Sequence, residues 1–122
     1  MGEDLYAHWE IKIDGVWHNW SAMRFTRNYA LHYALNGYSK EGLPDDVTLI
    51  TRLHSQILGD NYGFSWMNID ELEKAIADVE VKESRELALR ELGRILCMNY
   101  DEFKSNQPQD VEDVRFIYWY NF

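Results

Sequence analysis

The residues best suited to chemistry gather between positions 45 and 66. Asp45 and Asp46 stand side by side after Gly42-Leu43-Pro44, and Asp60 precedes the aromatic run Tyr62-Gly63-Phe64-Ser65-Trp66. A carboxylate, a hydroxyl, three rings and a backbone freed at Gly63 suit a ligand-binding loop. The rings would stack on a base while Ser65 or backbone amides hold a polar group. The plainer reading, and the preferred one, is a connecting loop packed by its own aromatics. On a helix, adjacent Asp45 and Asp46 would point about 100° apart. That suits negative charge at a helix start better than a catalytic pair. Gathered around a divalent cation, Asp45, Asp46 and Asp60 would make a metal-dependent hydrolase, the least favoured reading.

The four histidines, His8, His18, His32 and His54, show no His-x-x-x-His spacing,. His18 falls on the apolar face of a strand and reads as a hydrogen-bonded core histidine, with His8 on the opposite face. Cys97 is the only cysteine and lies in the apolar run Ile95-Leu96-Cys97-Met98, which fits a buried, inert thiol,. There is no phosphate-cradling Gly loop and no nucleophile elbow. No catalytic or metal-binding residue is assigned, no cofactor is expected, and binding is a better default than catalysis.

These residues need elements to position them. Leu5, Ala7, Trp9, Ile11 and Ile13 alternate with Tyr6, His8, Glu10 and Lys12, the period of a half-buried strand,. Asp14-Gly15 then predicts a two-residue hairpin pairing Ile13 with Val16, Ile11 with His18 and Trp9 with Trp20. A short helix is expected over residues 24–35, stopped at Asn36-Gly37. A second opens at Pro44-Asp45-Asp46, with the apolar stripe Val47, Ile50, Leu53, Ile57 and Leu58, and ends at Gly59-Asp60-Asn61. Asn68 or Ser65 caps a third, with the stripe Ile69, Leu72, Ile76 and Val79. A fourth covers 84–98, and an acidic loop runs from Asp101 to Asp113. Val114 to Phe122 is rich in strand formers. The expected class is α+β: a small antiparallel sheet, made of the N-terminal hairpin and a C-terminal strand, covered on one face by about four helices.

The 122 residues fit one domain, 1–122, with 46% apolar residues,. A net charge of −9 disfavours direct contact with nucleic acid or an anionic membrane, because phosphate binding draws on clustered Lys and Arg,. No apolar run approaches a membrane span and no signal peptide is evident, so a cytoplasmic protein is expected.

Several segments resemble a family of small uncharacterised proteins encoded by bacteriophages and prophages. They are Asp4 to Trp17, Arg27-Asn28-Tyr29-Ala30-Leu31, Gly42-Leu43-Pro44-Asp45-Asp46-Val47, and Ser65-Trp66-Met67-Asn68-Ile69-Asp70-Glu71-Leu72. The resemblance covers roughly the first 75 of the 122 residues. In that family the loop before Ser-Trp usually carries histidines; here Tyr62 and Phe64 stand in that loop, which puts any metal or catalytic role of those histidines in doubt. The resemblance implies origin more than mechanism. By analogy with other small acidic phage proteins, the expected function is an accessory protein of the infected host's cytoplasm. It would inhibit a defence system, as anti-CRISPR proteins do, by binding a host protein that itself handles nucleic acid. Asp101, Glu102, Asp110, Glu112 and Asp113 are the expected partner-facing patch. The alternative is a sponge holding a small nucleotide signal between Gly42-Leu43-Pro44-Asp45-Asp46 and the aromatic loop.

Overall fold

Asp14 and Gly15 take φ of 51° and 76°, the two positive values a type I′ turn requires,. In the computed structural model, which describes residues 4–25, 29–57, 59–79, 82–95 and 111–121, the chain reverses there. The elements run β1 (Asp4–Ile13), β2 (Val16–Phe25), α1 (Tyr29–Asn36), β3 (Lys40–Glu41), α2 (Leu49–Ile57), β4 (Asn61–Asn68), α3 (Ile69–Ala77), α4 (Lys82–Ile95) and β5 (Val111–Asn121). They form an α+β fold around one antiparallel sheet of order β2-β1-β5-β4-β3.

The hairpin holds its predicted register at first, with Ile13 opposite Val16 and Ile11 opposite His18. A bulge between Trp9 and Glu10 then shifts it, so that Trp9 meets Ser21 instead of Trp20 and Glu10 meets Asn19,. Because β2 continues to Phe25, the first helix begins at Tyr29 and not at residue 24. On its other side β1 pairs with β5, from Asp4 opposite Asn121 to Ile13 opposite Val111.

The sheet has five strands where three were expected. The run 62–66, expected as a loop, is part of β4, which pairs with both β5 and β3. Gly63 makes this possible. Its φ is +68°, and a Cβ there would sit 2.8 Å from Cδ2 of Tyr120. The β4–β5 register slips between Tyr62 and Ser65, after which a regular strand period resumes,.

Both faces of the sheet are covered, not one. Against one face Leu5, Ala7, Trp9, Met67, Phe116 and Tyr118 pack with Leu35 of α1 and with Leu72, Ala75 and Ile76 of α3. Asn68 caps α3 in a capping box: its Oδ1 accepts the Glu71 amide at 2.8 Å and its own amide donates to the Glu71 carboxylate at 3.1 Å,. On the other face Ile117 and Trp119 pack with Val47, flanked by Tyr6, Leu43, Phe64 and Trp66. The near-continuous apolar run of β5 fits a strand buried on both sides.

Candidate functional site

The helix α2 is turned the opposite way from its sequence pattern. At 100° per residue Leu49, Leu53, Ile57 and Ile50 fall within one third of its circumference, and amphipathic logic sends that stripe inward. In the structure these four side chains are 50% to 73% exposed, while Thr51 and Ser55 are buried. Of the predicted stripe only Val47, which precedes the helix, is buried; Leu58 lies outside the described residues. Four of the eight large apolar side chains exposed among the described residues therefore sit on this one short helix.

What holds α2 this way is a polar network rising from the sheet. The buried Glu10 carboxylate accepts from Nε and Nη2 of Arg115 on Oε1, at 2.9 and 2.6 Å. Its Oε2 accepts the Thr48 amide at 3.2 Å and the hydroxyls of Thr48 and Thr51, each at 2.5 Å. Glu10 thus supplies negative charge at the N-terminus of α2 from a neighbouring strand. Arg115 continues outward, donating from Nη1 to Asp46 at 2.7 Å, with the Trp17 ring 3.8 Å from its guanidinium carbon. That ion pair holds the Asp46 carboxyl below its ordinary range. Each buried polar atom here has a partner, the condition for a buried charge to be tolerated.

The network fixes the state of two histidines. Nδ2 of Asn19 lies 3.0 Å from the Thr51 hydroxyl and 2.9 Å from Nδ1 of His8. Thr51 spends its hydrogen on Glu10, so it accepts from Asn19, and the same amide nitrogen donates to His8. His8 then carries its hydrogen on Nε2, which donates to Nδ1 of His54 at 2.6 Å. A second proton on His8 would meet the Asn19 donor. Burial, and then the neighbouring His54, push His8 down to about 4, against a smaller opposing pull from Glu10,. His8 also stacks on the buried ring of Trp119, with centroids 5.5 Å apart. His8, held neutral, joins His54 as a structural latch between β1 and α2. Among the described residues no group of three or more His, Cys, Asp or Glu side chains is placed to hold a metal.

The residues singled out from the sequence are divided. Tyr62, Phe64 and Ser65 line a cavity of about 680 Å³, together with Glu41 and Gly42, and the Gly42 amide donates to the Phe64 carbonyl at 2.7 Å. The Gly-Leu-Pro turn and the aromatic run are thus adjacent. Trp66 is not in that cavity: it packs beside Ile117 and Trp119, with Lys40 over its ring at 4.4 Å. Asp45 and Asp46 are exposed in a turn before α2, which begins at Leu49 and not beside them, so they are not first-turn residues. Asp60 is exposed in the turn after α2, at φ 63°. The three carboxylates form no cation site. Of the expected acidic patch, Asp101, Glu102 and Asp110 lie outside the described residues. Glu112 and Asp113 are exposed on β5, not in a loop, and Glu112 accepts the Gly15 amide at 3.0 Å.

His18, expected in the core, is exposed, and His8, expected on the solvated face, is buried. Glu10, Asn19, Thr51, His54 and Arg115, which join His8 in the network, were not expected at a site. One signal was available. Arg115 is a lone charge inside an apolar strand, and a buried charge needs a buried partner. The hydroxyl pair Thr51 and Ser55, spaced i,i+4, also marks a second, polar face on α2 that is narrow enough to bury. Comparison with known proteins gives no relationship to lean on: no family model, no curated protein and no solved structure matches the chain.

Proposed function

We propose that this protein works by binding another protein along the exposed face of α2, without catalysis of its own. The observation that carries the reading is the inversion of that helix: Leu49, Ile50, Leu53 and Ile57 face outward while hydrogen bonds fasten the opposite side. An apolar patch of this kind on a small acidic protein marks an interaction surface.

The charges around the patch narrow the partner. Asp45 and Asp46 precede the helix, Asp60 follows it, all three are exposed, and the chain carries −9. In a symmetric contact between two copies, acids at the ends of one α2 would meet acids of the other, which repel. A partner segment with an apolar centre and Lys or Arg at its ends is complementary instead. Nine residues of helix span about 13.5 Å, and a stable interface needs about 800 Å² a side. The acidic ends therefore belong to the footprint. Taken with the resemblance to bacteriophage and prophage proteins, the expected partner is a basic host protein, of the kind found among nucleic-acid-handling defence components.

The test uses the whole protein and a Leu53→Glu/Ile57→Glu variant as paired baits in lysate of the bacterial host. A partner retained by the first, lost by the second and released by high salt supports the reading. Equal retention by both baits overturns it.

A further inference from the structure

The cavity at the β3–β4 edge is separate from the outer face of α2, and its lining has a chemistry of its own. Its volume, about 680 Å³, lies within the range of small-molecule sites,. Three aromatic residues line it, Tyr62, Phe64 and Tyr120, and the two tyrosine rings have centroids 5.8 Å apart and planes inclined by 35°. Gly63 lets the Tyr120 ring approach the strand closer than any side chain at that position would allow,.

Two polar groups in the lining remain available to a ligand. Asn36 Oδ1 accepts the hydroxyls of Tyr118 and Tyr120 at 3.0 and 3.1 Å, which fixes the orientation of its amide. Its Nδ2 then has two hydrogens with no acceptor among the described residues. The carboxylate of Glu41, exposed at the end of β3, has no hydrogen bond or ion pair among the described residues. The lining contains no Lys, Arg or His among the described residues. Neighbouring Lys40 is engaged elsewhere, paired with Glu71 and lying over Trp66.

A fixed amide donor and a carboxylate acceptor lining one cavity beside tyrosine rings match the edge of a planar nitrogen heterocycle. The carboxylate takes N–H donors and the amide donates to a carbonyl. Guanine carries both on one edge, N1–H and N2–H₂ for Glu41 and O6 for Asn36. A phosphate would meet Glu41 with no cation to balance it. We propose that this cavity binds an uncharged guanine-type base or nucleoside and disfavours its phosphorylated form. The ring stacking expected of the aromatic segment is kept; the nucleotide expected there is not.

Calorimetric titration of the full chain with guanosine, adenosine and guanosine monophosphate, at low ionic strength, tests this. Guanosine should bind at least tenfold tighter than either of the others. Glu41→Gln, an exposed position whose melting temperature should not move, should weaken guanosine at least tenfold and narrow its advantage over the monophosphate. No heat with guanosine at millimolar concentration overturns the proposal. So does equal or tighter binding of the monophosphate or adenosine, and so does a Glu41→Gln variant that binds guanosine unchanged. None of these outcomes depends on whether α2 has a partner.

Discussion

On the face of the sheet toward α1 and α3, the buried side chains include Leu5, Trp9, Met67, Phe116 and their apolar contacts. On the face beneath α2 they include His8, Glu10, Thr51 and Arg115. The first surface is held by area removed from water, which is non-directional and tolerates exchange of similar shapes. The second is held by directed bonds, each modest in net value but costly to break. An apolar layer can settle a helix in several rotations; a layer of matched donors and acceptors accepts few. That difference explains how α2 can be seated firmly while its apolar stripe faces outward.

Neighbouring residues on β5 give the sharpest test of the contrast. Phe116→Ala and Arg115→Ala should each cost about 3–5 kcal/mol in urea unfolding, the first by leaving a cavity and the second by leaving Glu10 buried without its cation. They should differ in rescue. Glu10→Met combined with Arg115→Leu should recover most of the loss, since replacing both ions removes the unpaired charge. Failure of that double variant to exceed Arg115→Ala would mean the network is needed for more than charge balance.

The polar layer should answer to acid through His8. His8 titrates near 4 when folded and near 6.5 when unfolded, so below pH 6.5 the unfolded chain binds the extra proton first. Its contribution is complete above pH 6.5 and is lost as pH falls toward 4, by roughly 3 kcal/mol in total. His8→Phe should flatten this limb of a stability–pH curve; an unchanged limb would assign it to other groups. The smallest effect belongs to the outer face. Leu53→Glu/Ile57→Glu should shift stability by no more than about 0.5 kcal/mol, because those positions are solvated. A larger loss would show that the stripe is covered within the molecule.

Local features were readable in proportion to how locally they are determined. The Asp14-Gly15 turn, the strand character of residues 114–121, the Asn68 cap and the Leu72-Ile76-Val79 stripe depend on a few adjacent residues, and all are present. The period of α2 was visible, but period fixes only which residues share a face. Which face turns inward was decided by Glu10 and Arg115, which lie 105 residues apart in sequence. β4 was hidden because Gly63 breaks its alternation, and its strand partners come from β3 and β5, distant in sequence. Of the candidate binding residues, Tyr62, Phe64 and Ser65 do share a cavity. Asp45, Asp46 and Asp60 looked like a cluster only because they are close along the chain.

The place of β5 in the sheet has a consequence for how the protein is made. It follows every other described element, yet it stands at the centre of the sheet, with β1 and β2 on one side and β4 and β3 on the other. As the ribosome releases the chain, the two outer parts of the sheet appear first, with nothing joining them. Isolated pairs of strands are marginal in water, and the inner edges of β1 and β4 remain open until β5 arrives. Neither layer can close before then, because Phe116 and Tyr118 serve one and Arg115, Ile117 and Trp119 the other. Closure of the sheet therefore waits for β5 to be made, and the nascent chain is most open to chaperones and to aggregation during that wait.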